Sequence, residues 1–541
     1  MSLGTRARSL TCAVIACALA GSVALTAVPS YADPIPRAPG HRLVDDYTGS
    51  PATARPVPGD APDQHPYLAP NGRSGMHADG AGSGTHPYSG PLGRSPDVTS
   101  ERMAALGGEC VTATFDSGGR LLTVCGSIKG FSLKLLDPRT LETLAEYDLG
   151  QRPSTVEAIS RLDYARIFKD TSGGAYFYLD NEDRVVLGNP RQHILRIAHE
   201  RKPDGTWRFR VEDDWDLTDR LPHDCATWAR PYPKGECDPV TSVMPDWEGR
   251  IWWVTRQGRI GTVDPRTDTV RSVRLKGEEI QNSFSVTEDG VSIVSDHALY
   301  HFRADEDGTP RALWRQTYDR GTGTKPGSLS QGSGTTPDLL GDDYVAITDN
   351  ADDRMHVLVY RRGSDVPDAE RLVCKVPVFG SGASTTDNSL ISYGNSLIVE
   401  NNYGYENPTS LTFGRSVVGG ITRIDIRADG SGCDTVWESK ERSPSTVPKL
   451  STANGLVYLY TKEPNRLGVD AWYLTALDFR TGRTQWKKLT GTGALYDSNW
   501  APVTIGPDGT AYVGVLGGLV AVRDESDEED GRRNSVVGSR S

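Results

Sequence analysis

Between about residue 109 and residue 523 the chain repeats one pattern of four short strands. Each unit has a β-branched or alternating strand, a tight turn, a second strand, a polar break, a third strand that ends in Asp, and a fourth strand that carries an aromatic residue. The segments 240–275 and 283–316 are two examples. Four-stranded units that recur roughly every 50 residues predict a β-propeller, because one such unit cannot bury both of its faces alone.

The repeats predict one all-β domain, a single β-propeller of about eight four-stranded blades, with seven as the alternative count. The last unit, residues 501–524, lacks its fourth strand. We expect a strand from the N-terminal segment to fill that place. Such a strand would close the ring and remove the free sheet edge.

One repeat contains the segment ALDFRTGRTQW, residues 476–486. It resembles the tryptophan-docking motif of quinoprotein (PQQ-type) propellers, in which a Gly permits a tight turn and the Trp packs between neighbouring blades. The turn at residues 264–267 keeps the Asp and Thr of the motif but loses its Gly and Trp. The resemblance implies a propeller of that superfamily and says little about a cofactor. The positions that match the motif are Ala476, Asp478, Thr481, Gly482 and Trp486.

Both termini differ in composition from the repeats. Residues 1–32 have the order of a secretory signal peptide, with Arg6 and Arg8, an apolar stretch to about Val28 and a small-x-small site that ends at Ala32. We expect cleavage after Ala32 and secretion, with an uncleaved anchor as the alternative. Residues 33–108, rich in Pro, Gly, Ser and His, predict an extended N-terminal arm, and residues 524–541 predict a disordered acidic tail.

The cysteines support export. Two of the eight, Cys12 and Cys17, lie in the signal segment, and an even number remains in the exported chain, which predicts disulfide bonds. Cys110 and Cys125 lie at equal distances from the turn at residues 117–118, so they would face each other across a hairpin. The best pairing is therefore Cys110–Cys125, with Cys225–Cys237 closing a loop and Cys374–Cys433 as the remaining pair.

The charge excludes some partners. The formal net charge is −12, which provides no electrostatic footprint for nucleic acid. No segment after the signal peptide is apolar and long enough to span a bilayer. We therefore expect no nucleic-acid and no membrane partner. The expected ligand is a small polar molecule, and the expected state is a monomer.

Polar residues collect at one end of the predicted blades. In a propeller the start of each first strand and the end of each second strand meet around one mouth of the central channel. The opposite ends of the same hairpins are plain Asp-Gly turns. Polar second-strand ends occur at Asp296, Asp349-Asn350 and Glu400-Asn401-Asn402, and polar first-strand starts at Gln281-Asn282, Thr335-Thr336, Asp387-Asn388, Lys449 and Ser498-Asn499-Trp500.

Oxygen-rich clusters of this kind are what hard cations need. They resemble in type the Glu/Asn/Asp sites of lactonase-like propellers. The alternative is that the acids and amides satisfy exposed strand ends and one another, with water filling the channel. The sequence predicts a divalent-cation site, with Ca²⁺ as the expected ion, formed by Glu400, Asn401, Asn402, Asp349, Asn350, Asp387 and Asn388.

Three residues are candidates for catalysis: Lys449, Glu400 and His77. Lys449 could bind an anionic group or polarise a carbonyl, or it could pair with a carboxylate. His77 and Asp79 lie in the N-terminal arm, which could cover the mouth and supply a base.

Three functions fit these features. The first is a secreted, metal-assisted enzyme of the lactonase, esterase or lyase type that acts on a small polar substrate. The second is a quinoprotein-like dehydrogenase, although PQQ is not expected, because the chain has no adjacent cysteines to stack a quinone and no haem-attachment motif. The third is a non-catalytic binding propeller. The sequence does not decide whether the chain is an enzyme.

Overall fold

The computed structural model describes residues 33–104 and 108–525. The predicted signal peptide and the tail beyond residue 525 lie outside the described residues. The described chain contains eight sheets, each of which includes four antiparallel strands. They form the eight blades of a β-propeller, and the expected fold class is confirmed.

The N-terminal segment contributes β1 (Tyr47–Gly49), β2 (Thr85–His86) and β3 (Pro96–Arg102). Blade 1 consists of β4 (Glu109–Phe115), β5 (Leu121–Ser127), β6 (Gly130–Leu136) and β7 (Thr143–Gly150), and blade 2 of β8 (Tyr178–Leu179), β9 (Val185–Gly188), β10 (His193–Arg201) and β11 (Trp207–Asp216). Blade 3 consists of β12 (Val240–Pro245), β13 (Ile251–Thr255), β14 (Arg259–Asp264) and β15 (Thr269–Arg274), and blade 4 of β16 (Ser285–Thr287), β17 (Gly290–Val294), β18 (Ala298–Ala304) and β19 (Pro310–Thr317).

Blade 5 consists of β20 (Asp338–Leu340), β21 (Tyr344–Thr348), β22 (His356–Arg361) and β23 (Leu372–Pro377), and blade 6 of β24 (Ile391–Tyr393), β25 (Ser396–Glu400), β26 (Ile421–Ile426) and β27 (Cys433–Ser439). Blade 7 consists of β28 (Lys449–Ser451), β29 (Leu456–Thr461), β30 (Ala471–Asp478) and β31 (Thr484–Thr492), and blade 8 includes β32 (Val503–Ile505), β33 (Ala511–Val515) and β34 (Gly518–Asp524). The described residues include one α-helix, α1 (Pro153–Ser160), between blades 1 and 2. Short 3₁₀ turns lie at His41–Leu43, Tyr164–Lys169, Asp368–Glu370, Pro408–Leu411 and Ala494–Tyr496.

The ring closes as the sequence predicted. β3 pairs antiparallel with β34, from Pro96 opposite Asp524 to Arg102 opposite Gly518, and supplies the outer strand of blade 8. The Asp524 carboxylate accepts hydrogen bonds from the backbone N–H groups of Leu92, Gly93 and Arg94, at 2.7, 3.0 and 2.9 Å. Asp524 therefore ends the last strand, one residue beyond the predicted boundary of the propeller.

The two faces of the ring have different connections. Since neighbouring strands within a blade are antiparallel, the start of each first strand and the end of each second strand lie on one face, which we call the mouth face. The loops between second and third strands, and those between blades, lie there too. The opposite face, which we call the turn face, has the turns between first and second strands and between third and fourth strands.

Tryptophans of the fourth strands fasten the blades together. Trp437 donates its Nε1–H to the carbonyl oxygen of Phe479 in the next blade, at 2.9 Å, and packs against Gly482, whose φ is 66°. A Cβ at Gly482 would lie 2.5 Å from the Trp437 ring, so the position needs glycine both for its backbone and for its space. Gly482 thus has the role that the resemblance to the tryptophan-docking motif implies.

The turn at residues 264–268, which lacks the Gly of the motif, keeps the same geometry in another way. Asp268 adopts the left-handed conformation, with φ at 54°. Its Oδ1 accepts a hydrogen bond from Trp215 Nε1 of the preceding blade, at 2.9 Å. Asp tolerates this conformation better than most residues, so the blade contact is retained without glycine.

The three predicted disulfide bonds are confirmed. Cys110 and Cys125 are direct partners across β4 and β5, with Cα atoms 4.0 Å apart. Cys225–Cys237 closes a loop of the mouth face between blades 2 and 3. Cys374–Cys433 links the outer strands of blades 5 and 6.

The N-terminal arm runs inside the channel. Residues 68–86, which we call the plug, enter from the turn face, and residues 76–86 are all buried. The plug's backbone oxygens accept hydrogen bonds from the innermost strands of four consecutive blades. These bonds are Val286 N–H to Gly80 O at 2.7 Å, Leu339 N–H to Ala81 O at 2.9 Å, Ser392 N–H to Ser83 O at 2.9 Å and Leu450 N–H to Gly84 O at 3.1 Å.

Blades 1 and 2 hold the plug as well. The N–H of Ala69 donates to Leu179 O at 2.9 Å, and the N–H of Leu179 donates to Ser74 O at 2.8 Å. The Thr114 hydroxyl of blade 1 donates to the carbonyl oxygen of Arg73. The innermost strands of blades 1, 2 and 4 to 7 therefore bond to the plug, and the channel is blocked near the turn face.

Candidate functional site

A glycine-rich loop, residues 318–337, covers part of the mouth face above blades 5 and 6. Residues 327–329 and 332–336 of this loop are buried. The N–H of Leu329 donates to Asp387 Oδ2, and Ser328 Oγ lies 2.6 Å from Thr385 Oγ1. A Cβ at Gly334 would lie 2.2 Å from Thr386 O, so only glycine permits this approach. The predicted polar cluster therefore lies beneath a loop of the protein itself.

Four of the seven predicted metal ligands lie together under this loop. Glu400 Oε1 accepts hydrogen bonds from Asn388 Nδ2 and, at 3.0 Å, from Asn402 Nδ2. Asn402 Oδ1 in turn accepts from the N–H of Asp387 at 3.1 Å. All four belong to blade 6, where the start of β24 and the end of β25 are neighbours at the mouth face.

The other three predicted ligands make their contacts elsewhere. Asp349 Oδ2 lies 2.8 Å from His356 Nδ1, and Asn350 Nδ2 donates to backbone oxygens of the glycine-rich loop, at 3.0 and 3.1 Å. Asn401 Nδ2 donates to Ala383 O and Gly419 O, at 2.9 and 3.0 Å. Asp349, Asn350 and Asn401 thus form hydrogen bonds with nearby backbone groups, and none of these bonds is to Glu400.

The cluster retains unpartnered oxygens. Asp387 Oδ1, Asn388 Oδ1 and Glu400 Oε2 are buried and lack a hydrogen-bond partner within the described structure. Burial raises the pKa of Glu400 to about 8, and it raises the pKa of Asp387 well above its ordinary value. Across residues 33–104 and 108–525 no three His, Cys, Asp or Glu side chains are grouped so that they could hold a metal ion.

Lys449 lies in the channel near His77 of the plug. Burial lowers the pKa of Lys449 to about 8, and the carboxylates of Asp338 and Asp79 oppose that effect. Burial, followed by the charge of Lys449, holds the pKa of His77 well below its ordinary value. Lys449 Nζ has no hydrogen-bond partner in the described part of the chain, and His77 Nε2 lies 3.1 Å from Thr336 Oγ1. The arm therefore brings His77 and Asp79 to Lys449 from the turn face, and not over the mouth as the sequence suggested.

An open cleft lies on the other half of the mouth face, between blades 8, 1 and 2. Its volume is about 320 Å³. Helix α1 and the turn after it form one wall, and Met76 of the plug reaches it from the channel. Its main apolar lining consists of Met76, Val111, Ile128, Phe131, Ile167, Phe168, Leu495, Trp500 and Leu516, and its main polar lining of Glu109, Arg152, Asp170, Thr171, Tyr176 and Asn499.

The polar end of the cleft is centred on Glu109. Its Oε1 accepts the backbone N–H of Asn499 at 2.5 Å. Burial raises the pKa of Glu109 to about 8, and the hydrogen bond from Asn499 and the charge of Arg152 act in the opposite direction. The carboxyl group is therefore largely protonated near neutral pH and can donate as well as accept a hydrogen bond.

Arg152 is held in place by the backbone next to the cleft. Its guanidinium donates to Thr155 Oγ1 at 3.1 Å and to Ile167 O at 2.6 Å, and also to Asp170 O. The guanidinium carbon lies 5.0 Å from the centre of the Phe131 ring. Arg152 thus fixes the wall formed by α1 and the following turn.

Two aromatic residues define the rest of the cleft. Trp500 has a φ of 68°, which is costly for a bulky residue, and it contacts Tyr405 edge to face at 5.5 Å. Tyr176 stacks on His77 at 5.9 Å and donates its hydroxyl to Asn282 Oδ1 at 3.3 Å. Tyr176 and Met76 also line the small cavity of about 10 Å³ next to His77, which has room for about one water. The cleft is thus separated from the channel by Tyr176 and Met76.

A larger depression, of about 530 Å³, lies on the same face beside the Cys225–Cys237 loop. It is shallow and is lined by charged and polar residues such as Asp219, Arg220 and Glu236. Ligand sites are usually concave and mostly apolar with a few placed polar groups, and the smaller cleft has this character.

The sequence analysis identified part of the cleft by position. It placed Asn499 and Trp500 at a first-strand start, and both line the cleft. It missed Glu109 and Arg152. Glu109 also begins a first strand, in blade 1, so the same positional rule would have found it. No strand pattern pointed to Arg152, because it contacts the cleft through α1 and the turn after it, which are an insertion between two blades.

The fold and the site together define an eight-bladed β-propeller with a channel blocked by its own N-terminal arm and a cleft open at the mouth face. No protein-family model matches the chain. An uncharacterized protein of Archaeoglobus fulgidus is 27% identical over 315 residues, which cover 52% of this chain and 60% of that protein. The match therefore spans less than two thirds of the relative's length.

Several solved structures are similar in fold. BamB from Moraxella catarrhalis has a TM-score of 0.42 at 12% identity, with 75% of this chain and 92% of that chain covered. A streptogramin B lyase has a TM-score of 0.35 at 8% identity, with 79% and 97% covered. The computationally designed Ika8 protein has a TM-score of 0.42 at 14% identity, with 78% and 98% covered. These likenesses carry no argument about what this chain binds.

Proposed function

We propose that this protein is an exported binding propeller and that its ligand site is the mouth-face cleft. The observation that carries the proposal is that the channel is blocked by the plug while the cleft beside it stays open. The ligand is a small molecule with an apolar body and one hydrogen-bonding end. Export is supported by the predicted signal peptide and by the three disulfide bonds.

The size and walls of the cleft support this class of ligand. A volume of about 320 Å³ falls in the range of small-molecule sites. Phe168, Trp500 and Leu516 offer apolar area, and Glu109 offers the polar contact. Because the ring holds the Glu109 carboxyl through Asn499, little entropy is lost when it meets a ligand.

The position of the predicted catalytic residues favours binding over catalysis. Lys449, His77 and Glu400 are 1%, 5% and 2% exposed. None of them lines the cleft. A substrate would have to displace the plug or the glycine-rich loop to reach them.

A screen of small aromatic and aliphatic compounds by thermal shift tests the proposal, with affinities of the hits measured by calorimetry. Glu109→Gln and Phe168→Ala should each weaken binding by about tenfold or more, equivalent to about 1.4 kcal/mol. Leu372→Ala, which changes an exposed residue of an outer strand, is the control and should leave affinity unchanged. Hits that bind equally well to all three variants would exclude the cleft.

A divalent cation near Glu400 is a second proposal. It is favoured by the three buried, unpartnered oxygens of Asp387, Asn388 and Glu400. Added Ca²⁺ should raise the melting temperature of chelator-treated protein, and Glu400→Gln should remove most of that rise. If Ca²⁺ leaves the wild-type melting temperature unchanged, the cluster is a hydrogen-bonded network that supports the glycine-rich loop.

A further inference from the structure

Large apolar side chains are exposed mainly on the mouth face. Of the eleven such residues in the described structure, one, Tyr67, is near the turn face, and two, Leu372 and Val436, are on outer strands. Single exposed apolar residues are ordinary, but their concentration on one face is not. The mouth-face residues, which we call the apolar tips, are Leu43, Ile128, Leu162, Trp228, Tyr232, Phe413, Val418 and Leu467.

The two most exposed tips are held in strained backbone. Leu162 is 74% exposed with φ at 58°, and Phe413 is 80% exposed with φ at 61°. Glycine or asparagine usually occupies this conformation, and it is unfavourable for a bulky residue. The backbone at both positions has partners within the chain: the N–H of Asp163 donates to Ala158 O where α1 ends, and the N–H of Phe413 donates to Asp470 Oδ2 at 3.2 Å. The exposure of the two side chains has no such partner, and it points to a contact made outside the free protein.

A basic residue lies within two positions of most tips. Arg161, next to Leu162, also places its guanidinium 5.1 Å from the ring centre of Tyr232. An apolar side chain beside a long basic one fits an interface between acyl chains and anionic headgroups. The exposed bases within two positions of a tip are Arg42, Lys129, Arg161, Arg230, Lys234, Arg415 and Arg466, of which Arg230 is paired with Asp224.

The turn face has the opposite character. Its turns are rich in Asp and Glu. Many of the acidic residues that give the chain its net charge of −12 therefore lie on the turn face. A negatively charged surface would repel the turn face and allow the mouth face to approach. Acidic turns of this face lie at residues 180–183, 246–248, 288–289, 305–307 and 342–343.

We propose that the protein docks with its mouth face on an anionic lipid surface, with the apolar tips inserted at the boundary of headgroups and acyl chains. The tips come from separate loops of blades 1, 2, 6 and 7 and from the segment before β1, and so do not form one continuous patch. A flat, deformable surface can receive separate tips, whereas a folded partner needs a continuous complementary area. In this orientation the cleft opens towards the lipid.

This inference departs from the expectation of no membrane partner. Among the described helices none is long and apolar enough to cross a membrane, and the proposal needs none. The tips are scattered between residues 43 and 467, so no sequence window contains them. Only the ring brings them to one face.

Sedimentation with vesicles tests the proposal on the full exported chain. Wild type should bind vesicles of phosphatidylcholine mixed with phosphatidylglycerol and should bind pure phosphatidylcholine at least about tenfold more weakly, with binding reduced by salt. The variant L43S/L162S/F413S/L467S should lose about a hundredfold in partitioning. The matched control L372S/V436S, with equally apolar residues removed from outer strands, should bind like wild type.

A second readout needs no substitution. Trp228 is the one tryptophan among the exposed large apolar residues of the described structure, so lipids with brominated chains should quench a fraction of the wild-type fluorescence. The proposal is overturned if wild type does not sediment with anionic vesicles, or if the fourfold variant sediments as well as wild type. It is also overturned if the fourfold change instead converts an oligomer to a monomer, because the tips would then form a protein interface.

Discussion

Glu109 Oε1 accepts a hydrogen bond from the backbone N–H of Asn499, at 2.5 Å, across 390 positions of sequence. Glu109 begins the first strand of blade 1, and Asn499 precedes the first strand of blade 8. The bond therefore joins the first and last blades at the cleft. A ligand that binds there contacts both sides of the ring closure, so its binding should raise the stability of the whole ring.

Glu400 should make stability depend on pH. Burial raises its pKa to about 8 in the folded protein, against about 4.5 when unfolded. Between these values the folded state retains a proton that the unfolded state has lost, so stability falls as pH rises. Glu400→Gln should match wild type near pH 5 and exceed it near pH 8, by about 1–3 kcal/mol in urea unfolding. Glu306→Gln, on the exposed turn face, is the control, and equal curves for all three proteins would contradict the prediction.

Gly482→Ala should destabilise the protein more than Gly394→Ala. Both residues have positive φ, 66° and 56°, so the backbone strain is similar. A Cβ at Gly394 meets nothing within 4 Å, whereas one at Gly482 meets the Trp437 ring. We expect losses of about 1 kcal/mol at Gly394 and about 2–4 kcal/mol at Gly482, measured by urea unfolding. Equal losses would mean that Trp437 does not dock on Gly482.

The plug should be protected from hydrogen exchange. The N–H groups of Ala69, Ala78 and Gly84 donate at 2.9, 3.1 and 3.0 Å to Leu179 O, Gly75 O and His77 O inside the channel. Their exchange should be as slow as that of the innermost strands, because all of them open only when the ring opens. Mass spectrometry that finds rapid exchange across residues 68–86 would show that the channel is open in solution.

Removing Cys374–Cys433 should weaken the ring without unfolding it. This bond joins positions 59 residues apart and links the outer strands of blades 5 and 6. The double variant with serine at both positions should lose about 2–4 kcal/mol of unfolding free energy, the usual contribution of a disulfide bond. Peptide mapping without reduction should first identify the three predicted pairs, and an unchanged unfolding curve would contradict a structural role.

The repeated parts of the molecule could be predicted from sequence because each repeat contains the residue pattern of its own strands and turns. Alternating strands, Asp-Gly turns and the Gly482–Trp486 motif specified the blades, and the missing strand of the last unit specified the closure by β3. Cys110 and Cys125 were paired correctly because the register of one hairpin determines their distance. All of these signals are short range.

The plug could not be predicted, because its partners are backbone groups. Residues 68–86 contact six blades mostly through N–H and C=O groups, which every residue has and no composition reveals. The same holds for the glycine-rich loop, whose contacts with Asp387 and Thr385 depend on the absence of side chains. As a result, Lys449 and Glu400 were expected at an open mouth and are found beneath other parts of the chain.

Crystals grown with the hits of the compound screen test the central proposal most directly. We predict ligand density in the cleft, in contact with Phe168 and Trp500 and with a polar atom within hydrogen-bond distance of the Glu109 carboxyl. The plug should keep its place in the same crystals. Ligand density next to Lys449 or Glu400, with the cleft empty and the plug or the glycine-rich loop displaced, would contradict the proposal. The ligand site would then be the channel, as the sequence analysis expected.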